Sequence, residues 1–104
     1  MSSYQVIYEY TLEQAIADGV LIELFKNRWK DLSSGKPIVV TDRLFGEVSL
    51  AGLQEIWNEH VSWRTNVMPG LPEEEQQFRT KMNLKTVWVV EDDQAFTLLY
   101  PEDY

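Results

Sequence analysis

An α+β domain is predicted, with three or four helices packed on a small antiparallel sheet that a C-terminal β-hairpin closes. Three observations predict it. "TVWVV" and "AFTLLY" are rich in β-branched and aromatic residues, and the polar "EDDQ" separates them, which is a hairpin pattern. From Ser49 onward, Leu50, Leu53, Ile56, Trp57, His60, Val61 and Arg64 recur at helical spacing. Helix-capping residues punctuate the chain ahead of that stretch.

The elements follow in order. Val6, Tyr8 and Tyr10 alternate with their neighbours, a weak strand signal. Thr11 with Gln14 three residues on forms a capping box, and Gly19 stands where a helix C′ glycine would end the short helix between them. "VLIEL", Val20 to Leu24, permits a buried strand. Phe25, Trp29 and Leu32 then form a helical stripe that Gly35 ends. The stretch "KPIVVTDRLFGEVSLAGLQEIWNEHVSWRTN" reads as the longest helical region, with N-caps at Thr41 and Ser49. Gly52 inside it costs about 1 kcal/mol relative to Ala and suits a close approach by another element.

"VMPGLPEEE" is the strongest punctuation, too short for a domain linker, so residues 1–104 read as one domain. Beyond it, "LPEEEQQFRTKMN" predicts a further short helix. Pro72 takes its N1 position, acids fill the first turn, and Arg79, Lys81 and Lys85 lie toward the other end. In the closing hairpin, Trp88 and Val90 share one face and Val87 and Val89 the other. Both faces are apolar, so the hairpin belongs in the sheet core. Asp92 and Asp93 supply the turn, and Pro101 stops the last strand.

Composition excludes several classes. There is no cysteine, so disulfides, thiolate metal sites and a cysteine nucleophile are out. The start "MSSYQVIYEY" lacks a basic and an apolar leader region, and the longest apolar run, "VWVV", is far too short for a membrane span. A cytoplasmic, soluble protein is expected. The formal charge is −8, from 17 acids against 9 bases, which repels phosphate and argues against direct nucleic-acid binding. The charge is uneven: residues 26–43 are basic, whereas residues 1–25 and 86–104 carry acids and no base. No Gly-rich phosphate loop, zinc spacing or GxSxG elbow occurs, and no cofactor is expected.

His60 is the only histidine. Ser62 and Glu59 point to other faces of the helix, so no nucleophile or acid stands beside it. A packed histidine between Trp57 and Trp63 is the favoured reading. Trp63 and Arg64 form an aromatic and arginine pair of the kind that anchors protein interfaces. Two acidic clusters, Glu73-Glu74-Glu75 and Glu91-Asp92-Asp93, lack an EF-hand register and read as charged surface, candidates with Trp63 and Arg64 for contact with a protein partner. Glu102 and Asp103 fall at the opposite end of the hairpin from Asp92 and Asp93.

Three blocks also carry a resemblance. They are "YEYTLEQAIADGVLIEL", with Tyr8, Tyr10, Thr11, Ala15, Ile16, Asp18, Gly19, Val20 and Leu21; "KPIVVT", with Pro37, Val39, Val40 and Thr41; and "FTLLYPEDY". Together they cover roughly half the chain. The first resembles the N-terminal block of a small-protein family of unknown function carried by bacteria, plasmids and phages. The resemblance implies an accessory protein of a mobile element and supplies no catalytic residues; residues 50–85 lie outside it. The expected function is therefore a small acidic, non-enzymatic protein that docks on a protein partner. A basic surface of a host nucleic-acid-targeting defence complex fits, in the manner of an anti-CRISPR or anti-restriction inhibitor. The alternatives are a small hydrolase or ligand-binding enzyme using His60 with Glu59 or Arg64, and a self-associating module using Trp63 and the basic 26–43 segment.

Overall fold

The computed structural model describes residues 11–24 and 36–104. The strand expected at residues 6–10 and the helix expected around Phe25, Trp29 and Leu32 lie outside the described residues. Helix α1 (Leu12–Ala17) opens as the capping box requires: the Thr11 hydroxyl accepts from Gln14 N–H at 3.1 Å, and the Gln14 side-chain oxygen accepts from Thr11 N–H at 3.3 Å. Gly19, at φ +76°, turns the chain into strand β1 (Leu21–Leu24). Strand β2 (Ile38–Thr41) follows, then helix α2 (Asp42–Glu47) and helix α3 (Leu50–Asn66). Thr41 caps α2 through Leu44 N–H and Ser49 caps α3 through Gly52 N–H. Two short 3₁₀ turns, Met68–Gly70 and Glu73–Glu75, lead to β3 (Phe78–Met82), β4 (Lys85–Glu91) and β5 (Phe96–Leu99), and a last 3₁₀ turn covers Pro101–Asp103.

The five strands form one sheet in the order β1-β2-β5-β4-β3. Every neighbouring pair is antiparallel except β2 with β5, which run parallel. The α+β class and the C-terminal hairpin agree with expectation: β4 pairs with β5 in the register Trp88↔Leu99 to Glu91↔Phe96. Among the described residues there are three α-helices, and no helix is long and apolar enough to cross a membrane.

Two expected helical stretches are strands. "IVVT" delays the start of the helical region: all four residues of β2 are buried, because the strand lies inside the sheet with both faces covered. Three of its residues are β-branched before the cap at Thr41, which suits a pleated surface better than a helix turn. The helix expected from Pro72 also fails. Only Glu73–Glu75 turn, and β3 then alternates, with Phe78 buried and Arg79 and Lys81 exposed. Pairing with β4 (Phe78↔Val89, Thr80↔Val87) buries Phe78 and overrides the helical charge pattern.

Helix α3 lies on one face of the sheet. Leu53, Ile56 and Trp57 join Ile38, Val40, Phe78, Val87, Val89, Phe96 and Leu98 in the main core. Leu50, expected on that apolar face, is instead 60% exposed. At Gly52 a Cβ would stand 2.7 Å from Val48 Cγ1, so the crowding that favours glycine comes from the residue preceding the helix cap, whereas Met82 Sδ of β3, at 3.7 Å, lies at ordinary contact distance. On the other face, Ala15 of α1 packs with Leu21, Val39 and Ala95.

Candidate functional site

The C-terminal half of α3 points Trp57, His60, Trp63 and Arg64 toward the end of the sheet where β4 meets β5. His60 is 2% exposed. Its ring centroid lies 4.9 Å from Trp57, 5.3 Å from Phe78, 5.5 Å from Phe96 and 6.2 Å from Trp63. Four aromatic rings thus box a single imidazole. Burial, with a smaller push from Arg64 and an opposing pull from Glu91, drives its pKa down to about 4. The ring is therefore neutral at neutral pH. Among the described residues neither His60 Nδ1 nor the equally buried Trp57 Nε1 has a hydrogen-bond partner. Glu59, the nearest acid in sequence, accepts from the Thr80 hydroxyl at 2.8 Å, and Ser62 accepts from Asn66. Glu59 is thus tied to β3 and Ser62 to the last turn of α3. Among the described residues, no carboxylate or hydroxyl is hydrogen-bonded to His60 Nδ1.

An ionic lid closes the box. The Arg64 guanidinium grips Glu91 with two bonds, Nε to Oε1 at 2.9 Å and Nη2 to Oε2 at 3.1 Å. Lys36 Nζ bonds Glu91 Oε2 at 2.9 Å and the Asp92 carbonyl oxygen at 2.9 Å. Both cations sit over the Phe96 ring, at 5.3 Å for Lys36 and 5.7 Å for Arg64. Partial burial pushes the Glu91 carboxyl up, but the hydrogen bonds from Arg64 and Lys36 outweigh it and hold Glu91 below the ordinary carboxylate range.

Several residues singled out from sequence meet at this end. Trp63 is half-buried, 5.5 Å from Phe78. Phe78 pairs with Val89, so the Glu73–Glu75 turn leaves the sheet where Glu91, Asp92 and Asp93 sit. The roles differ, however. Arg64 and Glu91 are engaged with each other. Asp92 holds its own turn, its Oδ1 accepting from Gln94 N–H at 2.8 Å and Ala95 N–H at 2.9 Å. Glu73, Glu74, Glu75 and Asp93 are exposed. Among the described residues none of these four has an ion-pair partner. Nor, among the described residues, are three or more His, Asp or Glu side chains grouped to hold a metal ion.

The tail acids lie at the far end, as the hairpin geometry implied. Arg43 faces Glu102 at 3.9 Å and Asp103 at 3.5 Å. Beside it, Glu47 accepts from Lys85 Nζ at 2.9 Å and the Tyr100 hydroxyl at 2.8 Å. Those bonds, Lys85 first, hold Glu47 below the ordinary carboxylate range. Burial, then the bond to Glu47, pushes the Tyr100 phenol up to about 12.

Sequence reasoning missed one exposed feature here. Asn83 and Leu84 join β3 to β4 as a two-residue turn with φ of 54° and 68°, the type I′ pattern. Leu84 is 96% exposed in a left-handed conformation that costs a leucine about 1–2 kcal/mol. The alternation of Phe78, Thr80 and Met82 with Arg79 and Lys81 was the available signal for this hairpin.

No protein-family model, no curated protein and no solved structure matches the chain.

Proposed function

We propose that the chain is a non-enzymatic protein-binding protein whose acidic end docks on a basic surface of a protein partner. One observation carries the reading: Glu73, Glu74, Glu75 and Asp93 are exposed and form no ion pair among the described residues, and the Phe78–Val89 pairing sets both acidic segments at the end of the sheet nearest half-buried Trp63. Exposed like charge at one end steers association with an oppositely charged surface, and a partly buried tryptophan supplies an anchor. Arg64 and Glu91 serve that end from behind, by fixing the helix to the hairpin turn. The sequence resemblance suggests an accessory protein of a mobile element, and the partner proposed for it is a basic face of a host nucleoprotein defence complex.

The test is affinity capture from nuclease-treated host extract with wild-type protein and with the Glu73→Lys/Glu74→Lys/Glu75→Lys triple variant. A nucleoprotein-complex component that wild type retains, that salt weakens and that the triple variant releases supports the reading. Equal retention by both proteins contradicts it.

A further inference from the structure

We infer that residues 67–77 form a preformed docking loop that takes a basic amphipathic segment of a protein, in which lysines or arginines flank a bulky apolar side chain. The inference rests on the acidic-end reading and adds to it the kind of segment that the partner presents. Contacts within the molecule join the parts of the loop. It leaves α3 where Val67 N–H donates to the Trp63 carbonyl oxygen at 2.8 Å. It re-enters the sheet at Phe78, whose ring lies 5.5 Å from that of Trp63. Trp63 thus stands at both ends of the loop.

The loop has an apolar half and an acidic half. In the first, the Met68–Gly70 turn, Gly70 N–H donates to the Val67 carbonyl oxygen at 3.1 Å and Leu71 N–H to that of Met68 at 3.0 Å. The second is the Glu73–Glu75 turn. The Gln76 side-chain amide clamps the halves together, donating to the Leu71 carbonyl oxygen at 2.9 Å and to that of Met68 at 3.3 Å. The Gln77 amide fixes the return to the sheet by donating to the Val89 carbonyl oxygen at 3.1 Å. Pro69 and Pro72 restrict two further backbone angles. A loop closed by its own side chains has little freedom to lose on binding. Apolar groups are left in water on it: Val67 is 47% exposed one helical turn beyond half-buried Trp63, and Met68 and Leu71 are only partly buried.

The charge identifies the occupant. Residues 65–78 carry three acids and no base. The bases at this end are already held, since Lys36 and Arg64 both bond Glu91 and Arg79 lies over the Trp88 ring at 5.9 Å. Glu73, Glu74, Glu75, Glu91, Asp92 and Asp93 stand against these three bases, so the negative charge of the loop is not cancelled among the described residues. Exposed apolar groups beside such charge complement an apolar anchor with a basic surround. A second copy fits poorly, because a symmetric contact on the loop sets the glutamates of the two molecules against each other.

Three synthetic peptides are titrated calorimetrically into the protein: an amphipathic lysine–leucine peptide, the same peptide with alanine at every leucine, and its glutamate–leucine counterpart. The lysine–leucine peptide should bind roughly ten- to hundredfold more tightly than the alanine one, and the glutamate peptide should not bind. Val67→Ser should erase the preference for leucine with an unchanged Tm, and Val67→Leu should keep it. Leu50→Ser, which alters an exposed apolar residue at the other end of α3, should leave it as in wild type. Equal binding of the leucine and alanine peptides overturns the inference and leaves the acidic-end reading standing. So does a preference for leucine that Val67→Ser keeps or that Leu50→Ser removes. Peptide binding that the Glu73→Lys/Glu74→Lys/Glu75→Lys variant leaves unchanged overturns the acidic-end reading itself. A wild-type dimer on sizing that Val67→Ser converts to a monomer would assign the loop to a second copy and also overturn the inference.

Discussion

The two ends of the sheet carry charge networks of similar size that do opposite work. At the β4–β5 end, Arg64, Glu91 and Lys36 lie over Phe96 and close an aromatic box around His60. At the β3–β4 end, Glu47 gathers Lys85, Tyr100 and Arg43 beside a turn whose leucine is left in water. The first network seals apolar surface. The second braces a projection. An ionic cluster therefore does not announce a function by itself; what it covers or leaves uncovered does.

Breaking the sealed end should have the largest effect. Phe96→Ala removes the ring that both cations cover and that Trp57 and His60 pack against, at about 3–5 kcal/mol by urea denaturation. Acid should act on the same box. His60 has a folded pKa near 4 against an ordinary value of 6.5, so the unfolded chain binds the extra proton first. The stability conferred by the neutral ring is complete above pH 6.5 and is lost as pH falls from about 6.5 toward 4, to an extent of about 3 kcal/mol. His60→Phe should remove that slope. At pH 7 it should stay within about 1 kcal/mol of wild type, because Nδ1 has no partner to lose among the described residues. A wild-type profile flat between pH 4 and 6.5 would mean that the box is open to water.

The lid is a smaller contributor. Both side chains of the Arg64–Glu91 pair remain about one-third exposed, so a double-mutant cycle should return a coupling of about 1 kcal/mol that shrinks with added salt. The smallest effect is expected at the other end and with the opposite sign: Leu84→Gly should stabilise the fold by roughly 0.5–1 kcal/mol by relieving the left-handed leucine.

The legible parts of the fold were those set by neighbours in sequence. Thr11, Thr41 and Ser49 cap the helices they were expected to cap, and "TVWVV" and "AFTLLY" pair as a hairpin. What escaped depended on distant partners. Ile38 to Thr41 carry no period because both faces of β2 are covered. Pro72 and three glutamates imitate a helix start, and only the pairing of Phe78 with Val89 makes the next residues a strand. The same limit applied to the site. Trp57, His60 and Trp63 were visible as a helical cluster, but the Arg64–Glu91 grip spans 27 residues of sequence. Leu84 drew no notice because its backbone angle is imposed by the register of the hairpin it joins.

The central claim is that binding belongs to the exposed acidic end and that His60 is packing. His60→Phe at pH 7 tests it most directly, with partner capture and Tm measured on the same preparation. Capture equal to wild type with a Tm unchanged within a few degrees is the expected result. Loss of capture or of biological activity with an unchanged Tm would contradict the claim and return the imidazole to the functional site.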